Sequence, residues 1–176
     1  YDANGNPIRT QDPLSATYTN AYDLMDRLVR TTDPQGQAAA RSYDALDRLA
    51  SITDRNSNTT AFAYDSRDLR TGITDPAGQT WTTAYDDEGV PASVTTPLGF
   101  TTLFQTDKRG RTTRVTDALG MQTHLAYDAR GRLVAVTDRL GRATGYAYDA
   151  AGSLTGVTDS VLGATHFIRN DLGRLT

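Results

Sequence analysis

A strict 21-residue period constrains this chain more than any other feature of its sequence. Tyr1, Tyr22, Tyr43, Tyr64, Tyr85, Tyr127 and Tyr148 stand 21 residues apart or twice that, and Thr106 keeps the register in the gap. Asp follows at each position: Asp2, Asp23, Asp44, Asp65, Asp86, Asp107, Asp128 and Asp149. Ten residues further on comes a second Asp, at 12, 33, 54, 75, 117, 138 and 159, with Thr96 as the exception. A period of this length means one small supersecondary unit copied along the chain, each copy covering its neighbour. Eight units begin at 1, 22, 43, 64, 85, 106, 127 and 148, and a partial ninth begins at 169. Nothing in the sequence marks a boundary among them, so residues 1–176 read as one repeat segment. Register is weakest from Tyr85 to Thr106, where Val90-Pro91 and Thr96 break the pattern.

Each unit holds two turn signals of the form Asp-x-x-Gly. In Asp75-Pro76-Ala77-Gly78 the Asp can cap backbone N–H groups, Pro presets φ, and Gly closes a type I turn. The other signal reads Asp128-Ala129-Arg130-Gly131, and where Gly is missing Asp26, Asp47 and Asp68 fill its column. Asp is among the few residues that tolerate the left-handed conformation. Between turns lie six residues, as in Arg132 to Thr137, or seven, as in Arg142 to Tyr148, each the length of an ordinary strand. Val134 and Val136 alternate on one face of the first strand; Tyr148 and Tyr146, in the column of Phe62, Phe104, Leu125 and Phe167, alternate on the second. No helical stripe survives a Gly or Pro every ten residues or so. One extra residue at Asp159 to Gly163 predicts a bulge or a longer turn.

Composition narrows the outcome. Leu, Ile, Val and Phe number 32 of 176 and mean hydropathy is -0.51, too little for an oily two-layer core. Thr at 28, Tyr at 9 and a net charge of only -3 favour a thin, Thr-rich β structure over coil. Sixteen strands at about 4.8 Å each would extend roughly 75 Å, and open sheets that wide curl into a barrel, coil or shell wall. There is no Cys, so thiol chemistry and Cys-ligated metal are excluded. No run is long and apolar enough to predict a membrane span, and the charge balance does not predict a nucleic-acid surface.

Tyr127-Asp-x-x-Gly-Arg-Leu133, followed by Val136-Thr137-Asp138 and Gly141, resembles the YD repeat of the Rhs family, and the resemblance covers the whole chain. The family includes bacterial Rhs toxins, the B and C components of insecticidal Tc toxins, wall-associated bacterial proteins and teneurins. It implies an all-β fold, an antiparallel meander of two short strands per repeat, curling as part of a spiral β-shell. It also implies flanking YD repeats and an enclosed C-terminal toxin as partners, with secretion machinery a further one. Such proteins are secreted or cell-surface after assembly in the bacterial cytoplasm, and the polymorphic toxins among them serve interbacterial competition. The aspartyl self-cleavage segment of family toxins has no match here, and the chain starts and stops inside a repeat, so the expectation is an internal piece of a larger shell.

No catalytic, cofactor-binding or metal residue is expected, and the chain is not expected to be an enzyme. Of 20 Asp, 18 lie in turn columns, where capping explains them. His124 and His166 share a column two repeats apart, about 19 Å in a flat sheet, too far to share a metal. Arg109, Arg111, Arg114, Arg130 and Arg132 could form an anionic-glycan or nucleic-acid patch, but Arg-Asp pairing across neighbouring strands is favoured. Trp81 and the sequon at Asn58 read as local packing and as a formal match. Two functions remain: shell wall sequestering a polypeptide, or an adhesive module recognising cell-surface glycan or protein.

Overall fold

A computed structural model describes residues 1–167, so the partial repeat from Arg169 lies outside the described residues. The strands run β1 (Arg9–Gln11), β2 (Thr17–Tyr22), β3 (Leu28–Thr32), β4 (Ala38–Tyr43), β5 (Leu49–Thr53), β6 (Thr59–Tyr64), β7 (Arg70–Thr74) and β8 (Thr80–Tyr85). They continue β9 (Pro91–Thr95), β10 (Thr101–Thr106), β11 (Thr112–Thr116), β12 (Gln122–Tyr127), β13 (Leu133–Thr137), β14 (Ala143–Tyr148), β15 (Leu154–Asp159) and β16 (Gly163–His166). The fold is an all-β antiparallel meander in chain order, with no helix among the described residues.

The chain gathers into two compact units. One takes Tyr1–Ala84 with Thr95–Leu98, the other Tyr85–Val94 with the residues from Gly99 on. The division falls in the stretch where the sequence register is weakest. In the first unit consecutive strands pair, as in Thr53↔Thr59 of β5 and β6. In the second, β10 to β16 pair in the same way, as in Val136↔Thr144 of β13 and β14.

The turns explain the period. Asp128 N–H donates to the Arg132 carbonyl at 2.9 Å, and Gly131 N–H donates back to the Asp128 carbonyl at 3.0 Å. Gly131 sits at φ 87°, which makes a type I turn closed by a left-handed residue. The Asp128 carboxylate accepts from the N–H groups of Arg130 and Arg132, both at 2.9 Å, so one side chain satisfies amides that the ladder leaves free. This arrangement recurs in both turns of the repeat; Asp138, for example, caps Leu140 and Arg142. Because the Arg amide belongs to the turn, strands begin one residue later than the sequence spacing suggests, at Leu133 and Ala143.

Asp26, Asp47 and Asp68 hold the left-handed position at φ 60°, 65° and 64°, as their column predicts. Ser15 and Ser57 do the same at 65° and 66°, which the spacing of Gly did not reveal. The bulge or longer turn expected after Asp159 is corrected: β15 and β16 pair without a shift through Asp159↔Gly163, which leaves three residues in the turn where Thr137↔Ala143 leaves five. Bulges occur elsewhere. In β12–β13 the register passes from Ala126↔Ala135 to Tyr127↔Leu133, leaving Val134 unmatched, and the hairpins β2–β3, β4–β5, β6–β7, β10–β11 and β14–β15 shift at the same place. The bulge breaks strict alternation, so β13 is half-buried along its whole length while β12 alternates exposed and half-buried.

Among the described residues no hydrophobic side chain is fully buried. The sheet is thin, and its apolar side chains are half-covered by neighbours rather than enclosed.

Candidate functional site

The most elaborate constellation lies at the Tyr-Asp turns, where Arg from one repeat meets Tyr from the next. In the second unit, Arg132 Nε donates to the Asp128 carboxylate at 2.7 Å within its own turn. Its Nη1 donates to the Asp149 carbonyl at 3.1 Å in the following turn. The guanidinium lies 4.6 Å from the centroid of the Tyr148 ring, and the Tyr148 hydroxyl donates to the Leu133 carbonyl at 2.8 Å. Arg111 repeats the arrangement with Asp107 and Tyr127, whose hydroxyl donates to Thr112.

The first unit carries the same rungs. Arg27 bonds Asp23, lies 4.2 Å from the Tyr43 centroid and reaches Asp47 at 2.6 Å. Arg48 bonds Asp44, lies 4.7 Å from the Tyr64 centroid and reaches Asp68 at 2.8 Å. The left-handed Asp therefore does two jobs, closing its turn and receiving the previous repeat's Arg. Asn6 makes the same connection without charge, donating to Asp2 and Asp26. Leu69, Val90 and Ser153 occupy the Arg position in the remaining repeats. Next to Leu69, Arg70 lies over Phe62 at 5.7 Å.

Charge follows this geometry. The Arg111 guanidinium, hydrogen-bonded to the Asp107 carboxyl, lowers it to about 2. Arg27 holds Asp23 below the usual carboxylate range in the same way, and Asn58 does so for Asp54 through a side-chain hydrogen bond. These carboxylates are firmly ionised acceptors, suited to holding a turn rather than to passing protons.

The expected pairing of Arg with Asp across neighbouring strands is corrected here. Five pairs join residues four apart inside a single turn: Arg27–Asp23, Arg48–Asp44, Arg111–Asp107, Arg132–Asp128 and Arg142–Asp138. Others link successive turns, as Arg27 to Asp47 does. The turn amide that anchors Arg also aims its side chain along the row of turns.

The remaining sequence candidates are dispersed. Arg109 and Arg130 donate to the carbonyls of Ala129 and Ala150, which leaves Arg114 as the member of that cluster with neither ion pair nor hydrogen bond among the described residues. His124 and His166 lie in β12 and β16 opposite Arg114 and Gly156. Trp81 stands across from Ile73, 37% exposed. The Asn58 amide is engaged by Asp54.

The RHS repeat model matches residues 1–38, 43–80, 64–102, 107–143 and 127–165. The chain belongs to the RHS repeat family. No curated protein sequence matches it. Among solved structures, a chain of a Photorhabdus luminescens Tc holotoxin pore bearing a TccC3 substitution resembles it at TM-score 0.52 and 16% identity. That match covers 99% of this chain and 12% of the other. A chain of the TcdB2-TccC3-TEV crystal structure matches at TM-score 0.35 and 14% identity, over 99% and 13%. A chain of TcdB2-TccC3 matches at 0.26 and 15%, over 99% and 17%. At 16% identity the likeness to the Tc holotoxin chain concerns the fold, and the RHS repeats here span a small fraction of the chains matched.

Proposed function

We propose that these RHS repeats are a stretch of wall in a larger shell that encloses a polypeptide, a toxin in the favoured case, until delivery. The observation that carries this reading is the repeat-to-repeat rung. Each rung anchors an Arg to the Asp of its own turn and extends it to the next repeat, which suits a surface that must stay continuous. Membership in the RHS repeat family and the fold shared with a chain of a Tc holotoxin pore support it. On this reading the segment performs no chemical step, and the protein is exported or displayed after assembly in the producing bacterium. Its partners are flanking repeats, the enclosed polypeptide and the export machinery.

The test is limited proteolysis of the intact protein beside a form with a long insertion at the Asp138–Arg142 turn. Disruption is expected to expose the enclosed polypeptide to protease while its own activity, once freed, is unchanged. Equal digestion in both forms would overturn enclosure. Recognition of a cell-surface glycan or protein would then be the better reading, consistent with exposed turn-tip residues such as Leu119 and Leu140.

A further inference from the structure

We infer that the second unit carries a binding site for an organic monocarboxylate, centred on Arg114. Four polar residues form one cross-strand row through paired positions: Gln105↔Arg114, Arg114↔His124 and His124↔Thr137. Paired positions share a face, so these side chains stand side by side. Elsewhere polar neighbours on paired strands satisfy one another: Ser42 bonds Ser51 at 2.7 Å, Thr53 bonds Thr59 at 2.8 Å, and Thr74 bonds Thr80 at 2.9 Å. The Arg114 row does not. None of its four side chains has a hydrogen bond or ion pair among the described residues, and the Arg114 Nε–H is buried without a partner.

The row lines a cleft of about 290 Å³ that holds no acidic residue. Ala126 and Ala135, paired on the same face as His124 and Thr137, line it with small apolar side chains that leave space beside the Arg. This combination selects the ligand class. A guanidinium fork matches the two oxygens of a carboxylate. Gln105, His124 and Thr137 add donors that a carboxylate can use, and the apolar lining accommodates a short carbon skeleton. A single formal cation balances a single negative charge, which favours a monocarboxylate over inorganic phosphate. Arg30 stands in the same column of its repeat but is exposed, and provides an internal control.

The experiment is arginine modification of the intact protein by phenylglyoxal, read residue by residue by peptide mass spectrometry. Butyrate is expected to slow modification of Arg114 at least threefold and to leave Arg30 unchanged, while butyramide at the same concentration has no effect. Gln105→Ala and His124→Ala should each weaken that protection. N-acetylglutamate α-methylamide, tested alongside, distinguishes a polypeptide side chain as the source of the carboxylate from a free acid. The site is overturned if Arg114 does not react at all, if butyramide or chloride at equal ionic strength protects as well, or if Arg30 is protected equally. Phosphate protecting as well as butyrate would overturn the carboxylate assignment.

Discussion

Ser57 shows how much one residue's backbone conformation matters here. It holds φ 66° where most repeats place Gly, and a side chain in that region costs about 1–2 kcal/mol. Ser57→Gly is therefore expected to stabilise the protein by up to ~1 kcal/mol after the added freedom of the unfolded chain is counted, raising Tm by a few degrees in a thermal melt. The opposite holds for the residue that begins each turn. Asp128 accepts two turn amides and the Arg132 side chain, so Asp128→Ala strands all three donors. A clearly lower denaturant midpoint is expected, as when a helix N-cap is removed; an unchanged midpoint would show that the carboxylate is dispensable. Asp at the turn and Asp in the left-handed column were legible from sequence, because few residue types serve either role. Ser15 and Ser57 were not, because Ser is common in ordinary loops and only the backbone distinguishes these two.

At the scale of the element, the rung adds a side-chain link to the strand pairing that joins successive repeats. Tyr64 is half-buried, its hydroxyl bonds the Leu49 carbonyl at 3.0 Å and its ring faces Arg48. A fully buried ring would make Tyr64→Ala cost roughly 3 kcal/mol or more; half-burial brings the expectation to about 2 kcal/mol. Arg48→Leu imitates the natural Leu69 and should lower stability by less than Tyr64→Ala does. The double variant should fall short of the sum by ~0.5–1 kcal/mol, the size of a cation–π contact at a partly exposed site. Strict additivity in the double-mutant cycle would remove the rung from the account. The Tyr register was visible in the sequence, but the Arg that covers the rings of Tyr43, Tyr64, Tyr127 and Tyr148 was not recognised. Its spacing of 16 residues from that Tyr looks unremarkable until the turn amide orients the guanidinium. Bulges were hidden for a similar reason: a residue left unmatched at the same place in six hairpins leaves no gap in the period.

Across the whole molecule, ionised turn carboxylates tie stability to acid. Asp107 falls to about 2 through its hydrogen bond with Arg111, while an unfolded Asp titrates near ~3.9. Its folded form releases the proton first, so the stabilisation is complete above about pH 4 and is lost as pH falls toward 2. Acid titration followed by far-UV circular dichroism should show stability decreasing over that window, with Asp107→Asn less stable at pH 7 and flatter below pH 4. An unchanged acid profile in the variant would detach Asp107 from the transition. The sequence by itself determined the repeat length, the all-β meander, the turn positions and the thinness of the sheet, because all four follow from local turn chemistry and from the scarcity of large aliphatic residues. Only the tertiary structure decided where the bulges fall, that Arg serves successive turns instead of opposite strands, and that Arg114 is left without a partner among the described residues. Those outcomes depend on side-chain reach and strand register, which bring together residues from different repeats and which a periodic sequence leaves open.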